Sequence, residues 1–355
     1  MNKAPEHIPQ RFLKIDEEGF ALMDQIRVSH EEFGHHLLAN LRRDPLGYFY
    51  TEADGHWALV EPFDEPLVAH SVERLLSPQT GWEVIMPYGF RSSFVLDSLS
   101  LDEWDRFHGR TEEGVPFVLS RKAQAQFFDL LDGFGDDFIQ VQEKVYKIPS
   151  WPRGNSSVEQ SGFWQEIFCR DEPPPFDLGQ SHSLLPKVLA QLKITKQRVM
   201  VLGAGAAHDA AHFAEQGHLV TAVDFCPEAI SRAKSKYGHL KNLRFIQQDL
   251  FSLGEEHFGQ YDLIFEHTCY CAISPERRNE LVQLWLKILT EDGYLLGIFF
   301  AFDQLAGPPF GGSEWELRQR LKKNFQFLYW TRWRQSIPRR IGKEVVIYAR
   351  RHSSL

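Results

Sequence analysis

Arg198-Val-Met-Val-Leu-Gly-Ala-Gly-Ala-Ala-His-Asp209, with Thr221-Ala-Val-Asp224 after it, is the stretch on which the reading of this 355-residue chain turns. A short apolar strand runs into a loop whose Gly203 and Gly205 let a ligand approach the backbone closely. Asp224 then closes a second strand roughly 20 positions beyond Gly203. Such a layout holds a nucleoside. The glycine loop alone does not say which one, because dinucleotide-binding folds share it and a tight turn can imitate it.

The following strands narrow the choice. Leu243-Arg-Phe-Ile-Gln-Gln-Asp249 reads as a third strand ending in a carboxylate, and Tyr261-Asp-Leu-Ile-Phe-Glu266 as a fourth ending in another. A doubly wound parallel sheet delivers Gly203, Asp224, Asp249 and Glu266 to one edge, where the carboxyl ends of the strands open a crevice. Asp224 is expected to accept from ribose hydroxyls and Asp249 from the adenine amine. Asp209, Phe225 and Leu250 are counted with them as cofactor-binding residues. This series resembles the class I S-adenosylmethionine-dependent methyltransferases, which implies a Rossmann-like, mostly parallel α/β sheet with a C-terminal antiparallel hairpin. Nicotinamide binding is the weaker alternative: Ala-Ala-His stands where a dinucleotide fingerprint would continue to its last glycine.

Three more segments carry a narrower resemblance, covering about residues 160 to 350. Phe163-Trp-Gln-Glu-Ile-Phe-Cys-Arg-Asp-Glu-Pro-Pro-Pro-Phe-Asp-Leu-Gly-Gln-Ser-His-Ser-Leu-Leu185 is similar to the opening segment of the thiopurine S-methyltransferase family and its thiol and halide methyltransferase relatives. Tyr261 to Ile273 resembles that family's fourth strand and following loop, and Gly307-Pro-Pro-Phe310 the segment after its fifth strand. The resemblance implies S-adenosyl-L-methionine as cofactor and a small molecule as methyl acceptor. It makes Trp164 and Phe168, spaced i, i+4 on a short helix, an aromatic lid that attracts the sulfonium by cation–π interaction. From spacing alone the same pair reads as core. Phe168 stands where the family often has a second Trp, and His267 where some members carry Arg.

A sulfonium methyl group is already activated, so the enzyme needs chiefly to align an acceptor and exclude water. Few catalytic side chains are required. His267 is the candidate to take or orient a thiol proton, set against a histidine that merely caps a loop. Glu266 either meets the cofactor's amino group or caps the next helix. Tyr270, Phe299, Phe310 and Trp315 are expected to wall the substrate pocket, which suits a soft acceptor, a thiol or a related sulfur, selenium or halide species. Methylation of oxygen or nitrogen in a small metabolite is the alternative enzyme reading. A non-catalytic S-adenosylmethionine sensor is the alternative of another class.

Composition sets bounds. With 43% hydrophobic and 13% aromatic residues the chain can fill more than one core, and two domains are expected. A net charge of −9 argues against a nucleic-acid partner. No charged-then-apolar leader is visible, and the greasy run Gly293 to Phe302 is too short to span a bilayer, so no membrane partner and a cytoplasmic location are expected. Cys169, Cys226, Cys269 and Cys271 are too few for a disulfide scaffold and lack zinc spacing, and no metal is expected. His35, His36 and His208 are given no ligand role. The oligomeric state is not legible.

Residues 1–150 read as a smaller α+β domain of unknown role, 151–160 as a linker, and 161–355 as the methyltransferase domain. In the first part Ser29-His-Glu-Glu32 is a capping-box pattern opening a helix through about Leu41, and Tyr48 to Val60 a hairpin turning at Asp54-Gly55. Strands follow near Val68–Val72, Trp82–Met86 and Phe94–Asp97, then a helix over Arg121–Leu131. In the last part helices fit Pro227–Lys236 and Pro275–Leu289. Phe325–Trp330 and Glu344–Arg350 pair as the hairpin, joined by Ile337–Lys343.

Overall fold

In a computed structural model the described residues are 9, 11–75, 81–152, 154–170, 172–304 and 306–352. Arg153 of the expected linker and Asp171 of the opening segment lie outside them. The chain divides into two compact units. The first is Met1–Arg153 together with Phe302–Leu305 and Gly311–Leu317, and the second holds the remainder.

The first unit is built of short strands. A six-stranded sheet runs Ile26–Arg27, Ala21–Met23, Phe12–Ile15, His56–Pro62, Phe49–Ala53, Arg42–Arg43. Its hairpin turns where expected: Asp54 and Gly55 both have positive φ, 52° and 74°, the backbone that a two-residue turn between twisted strands requires. The capping box is not formed. Helix Glu31–Ala39 starts one residue later, and His30 is its cap, the imidazole accepting from Phe33 N at 3.2 Å. With His30 as the cap, Glu32 is the second helical residue, one position short of the place from which it could answer the cap. The expected strand at Phe94–Asp97 ends at Phe94, and Leu96–Ser98 is a 3-10 turn instead. Helix Arg121–Asp129 starts where Ser120 accepts from Ala123 N at 3.2 Å. It buries Phe127 between Trp82 and Phe107, ring centroids 5.4 and 5.5 Å away.

The second unit is one twisted sheet with helices. Its strands are β1 (Arg198–Leu202), β2 (Leu219–Asp224), β3 (Leu243–Gln247), β4 (Tyr261–His267), β5 (Leu289–Phe300), β6 (Phe325–Trp333) and β7 (Glu344–Arg351). They lie in the order β3-β2-β1-β4-β5-β7-β6. The first five are parallel, and β7 runs antiparallel to both β5 and β6. Val199 to Leu202 is buried throughout, as a central parallel strand covered on both faces must be. The helices are α1 (Ser161–Phe168), α2 (Leu185–Gln191), α3 (His208–Glu215), α4 (Pro227–Tyr237) and α5 (Arg278–Ile288), while α6 (Glu314–Leu321) is divided, its residues through Leu317 belonging to the first unit. The helix expected from Pro275 begins as a 3-10 turn, Pro275–Arg277, before α5. The chain leaves β1 in one direction through β2 and β3 and returns to the other side for β4. The switch point lies between β1 and β4, and a doubly wound sheet binds its ligand at the carboxyl ends there. Among the described residues no helix is long and apolar enough to cross a membrane.

Candidate active site

At the end of β1 the chain turns through Gly203 and Gly205, with φ of 59° and 54°. Gly203 has a second constraint, since a Cβ there would lie 2.6 Å from Cys269 Sγ in the loop after β4. Asp224, at the end of β2, is buried and accepts Gly205 N–H and Cys226 N–H on its two oxygens, each at 2.8 Å. Burial raises its pKa, and the amides of Cys226, Gly205 and Phe225 work against that rise. The carboxylate ties the glycine loop to the end of β2 and keeps free lone pairs for further donors.

An aromatic cluster covers this corner. Phe168 is buried with Cys226 and Ala229, and Trp164, Phe176 and Phe225 pack against them. The Phe168 ring reaches over the loop, 3.6 Å from where a Gly205 Cβ would sit. Gln165, on α1 between the two rings, accepts from Glu228 N at 3.1 Å and so docks α1 on the first turn of α4. The Trp164 indole N–H is held by Val158 O at 2.8 Å. Beyond β3, Asp249 accepts from Phe251 N at 3.0 Å and caps a 3-10 turn whose Leu250 is buried.

The loop after β4 supplies the other side. Glu266 is 1% exposed and accepts from Tyr270 N at 2.8 Å, a capping role played on its own turn. Burial pushes its pKa up to about 8, against the pull of the Tyr270 and Cys269 amides and the Arg278 charge. Burial likewise pushes Cys271 up to about 12 and Cys269 well above its ordinary value. Both thiols stay protonated and unreactive near neutral pH. Tyr270 packs edge-on against Phe299 at 5.4 Å, both rings buried, and Phe310 N–H donates to Cys271 O at 2.7 Å. Trp315 belongs to the first unit: its N–H donates to Phe63 O at 2.8 Å and the Arg106 guanidinium lies 3.2 Å from its ring centroid.

Sequence reading did not assemble the polar group beside these residues. Asp209, in the first turn of α3, accepts His182 N–H on Oδ1 and the His267 ring on Oδ2, both at 2.7 Å. Its pKa is lowered: burial opposes, but His267 and His182 outweigh it. The other His267 nitrogen faces Arg340 Nη1 at 3.1 Å. Arg340 continues to Glu344 at 3.5 Å and to Phe176 O at 2.9 Å. Glu344, fully buried at the start of β7, meets His182 Nε2 at 3.1 Å. Ligand atoms of His182, His267 and Glu344 lie within 4.8 Å of one another, a metal-like grouping. The guanidinium of Arg340 already supplies a cation bonded to two of the three. Arg340 and Glu344 had no signal beyond the basic pair Arg339-Arg340 in a loop read only as a connection.

The sheet order and the crevice it opens define a class I S-adenosylmethionine-dependent methyltransferase. The family model Thiopurine S-methyltransferase (TPMT) matches residues 159–346, and the chain belongs to that family. Its cofactor is S-adenosylmethionine. Thiocyanate methyltransferase 1 of Brassica oleracea is 27% identical over 180 residues, 50% of this chain and 75% of that protein. A 2-heptyl-1-hydroxyquinolin-4(1H)-one methyltransferase of Mycobacteroides abscessus is 29% identical, over 44% of this chain and 69% of that one. The structure of Burkholderia thailandensis 1,6-didemethyltoxoflavin-N1-methyltransferase, with its acceptor and S-adenosylhomocysteine bound, aligns at a TM-score of 0.45 and 21% identity, covering 60% of this chain and 97% of that one.

Proposed function

We propose that this methyltransferase delivers its methyl group to a small, soft nucleophile, a thiol or a related sulfur, selenium or halide species. The observation that carries the reading is the make-up of the loop after β4. Its thiols are buried and protonated, its Tyr270 is packed among rings, and the cation beside it, Arg340, is bonded to Nε2 of His267. Such surroundings desolvate a polarisable anion cheaply and leave a hard, strongly hydrated oxygen anion at a disadvantage. The thiocyanate methyltransferase among the relatives supports the same acceptor class.

In this reading Gly203, Gly205, Asp224, Phe225, Asp249 and Leu250 hold the cofactor, with Trp164 and Phe168 above it, and residues 161–355 carry the reaction. The Mycobacteroides relative, whose acceptor is a hydroxyquinolone, favours a second reading in which a flat heteroaromatic oxygen or nitrogen is methylated. An acceptor panel decides between them. Labelled cofactor is incubated with thiols, thiopurines, thiocyanate, iodide, phenols, hydroxyquinolones and amines, and methylated products are counted. Turnover on sulfur or halide acceptors is expected; turnover confined to phenols, hydroxyquinolones or amines overturns the soft-acceptor reading and leaves the methyltransferase intact.

A further inference from the structure

The bonding around His267 leaves one form of its ring. Asp209 Oδ2, 2.7 Å from Nδ1, can only accept, and Arg340 Nη1, 3.1 Å from Nε2, can only donate. Nδ1 therefore carries the proton and Nε2 presents a lone pair. The neighbouring His182, edge-on at 5.0 Å, has the opposite form: its Nδ1 accepts from Leu184 N at 3.1 Å and its Nε2 donates to Glu344.

We propose that Asp209 is a positioning residue for methyl transfer: it fixes the Nδ1–H tautomer of His267, and the bare Nε2 in turn aims the Arg340 guanidinium on the acceptor side. This rests on the proposed function, in which the loop after β4 receives the acceptor. The sequence pattern placed Asp209 among the cofactor ligands; its two oxygens accept from His182 N and the His267 ring. The string of bonds has a direction. It starts in the first turn after the glycine loop, crosses to His267 at the end of β4, and ends through Arg340 Nη2 on Phe176 O at 2.9 Å, whose ring lies 5.8 Å from Phe168. Reversing the His267 tautomer would set an N–H against the guanidinium, and both Arg340 contacts would have to change.

The test is made on the full chain. In two-bond 15N–1H spectra of histidine-labelled wild type, His267 is expected to show a protonated Nδ1 and a bare Nε2; the reverse form, or an imidazolium, at pH 7.5 overturns the proposal by itself. Asp209→Asn keeps an oxygen for His182 N and turns an amide N–H toward Nδ1, so the tautomer should reverse. With any acceptor the panel yields, kcat should fall about 100-fold, the size of effect typical of a misplaced proton-handling group, and the dissociation constant for S-adenosylhomocysteine should change less than threefold. His267→Gln, whose amide can turn either end to its neighbours, should make a further Asp209→Asn change nearly silent. Loss of S-adenosylhomocysteine affinity with kcat unchanged would make Asp209 a cofactor ligand instead. Because the spectra need no acceptor, failure of the acceptor panel and failure of the tautomer assignment are read separately.

Discussion

Each of the two units buries histidine among carboxylates, and they do it differently. In the first, His108 has Glu65 at 3.0 Å from Nδ1 and Asp102 at 3.1 Å from Nε2, and its ring stacks on Trp151 at 4.2 Å. With both carboxylates ionised the ring carries two N–H groups and is an imidazolium, although burial raises the Glu65 pKa against the pull of His108. Burial acts to lower its pKa, but Asp102 and Glu65 overcome this and raise it to about 9. In the second unit His182 and His267 each have a carboxylate on one nitrogen only. The other nitrogen meets a donor, and the ring has a defined tautomer. A histidine clamped by acids on both sides is a fixed charge that serves the core. One clamped on a single side keeps its other ring nitrogen as an acceptor, which is what a reaction can use.

The comparison breaks most visibly through stability. His108→Ala leaves Glu65 and Asp102 buried without their cation and should cost about 3–5 kcal/mol, as removal of one partner from a buried ion pair does. The pH dependence has a definite sign. The raised His108 pKa contributes stability present in full below pH 6.5 and lost as pH rises through about 9. Asp102, lowered to about 2 by His108 and Arg106 against its burial, contributes stability present above 3.8 and lost as pH falls toward 2. The His108 and Asp102 contributions are thus both in place between about pH 4 and 6.5 in wild type, and in urea unfolding the part of the alkaline decline that belongs to His108 should be absent from the variant. An unfolding curve that shifts by less than 1 kcal/mol would mean that the ring is not a buried charge.

Next in size is Asp224→Ala, which removes a carboxylate proposed for the ribose. Bonds to a charged group are worth about 1.5–3 kcal/mol each, so calorimetric titration with S-adenosylhomocysteine should show an affinity loss of about that amount or somewhat more. The carboxylate also holds Gly205 N and Cys226 N at 2.8 Å, so part of the loss comes through the loop. Unchanged affinity in a folded variant would move the ribose elsewhere.

The sheet of the second unit was legible because its information is local: apolar runs ending in Asp224, Asp249 and Glu266, with glycines at fixed distance from the first. The polar groups were not, because they are assembled by topology. His182, Asp209, His267 and the pair Arg340 and Glu344 come from four separate places along the chain, and only the strand order brings them together. The first unit was less legible still. Asp64, Glu65, Asp102, Arg106 and His108 sit in short stretches with no shared period, and Trp315 joins Arg106 from more than half the chain away.

Gly203→Ala sharpens the local half of that lesson. The left-handed backbone costs a non-glycine residue about 1–2 kcal/mol, and the new Cβ must also displace the Cys269 sulfur. Thermal unfolding should show a loss of that order. Adding Cys269→Gly should recover the steric part and leave the backbone part, and full recovery would mean that φ at this position is not constrained.

The smallest effect belongs to Glu266, and its sign separates it from Asp102 of the first unit. It is buried, and its Oε1 accepts from Tyr270 N at 2.8 Å. Burial raises its pKa from 4.5 to about 8, so below pH 8 it is mostly a neutral carboxylic acid whose carbonyl holds the turn. Glutamine offers the same carbonyl. At pH 5, Glu266→Gln should therefore change stability by no more than about 0.5–1 kcal/mol, the range of a conservative swap that keeps its hydrogen bond. The raised carboxyl pKa gives wild type a contribution present in full below pH 4.5 and lost as pH rises through 8, whereas the amide has no proton to lose. The two unfolding free energies should thus run close together in acid and separate above pH 8, with the glutamine variant the more stable. S-adenosylhomocysteine affinity should stay put, unlike that of Asp224→Ala, since the side chain is engaged by its own turn. A difference that stays constant from pH 5 to 9 would mean that Glu266 is ionised and paired with Arg278, and the second unit would then hold a clamped acid like those of the first.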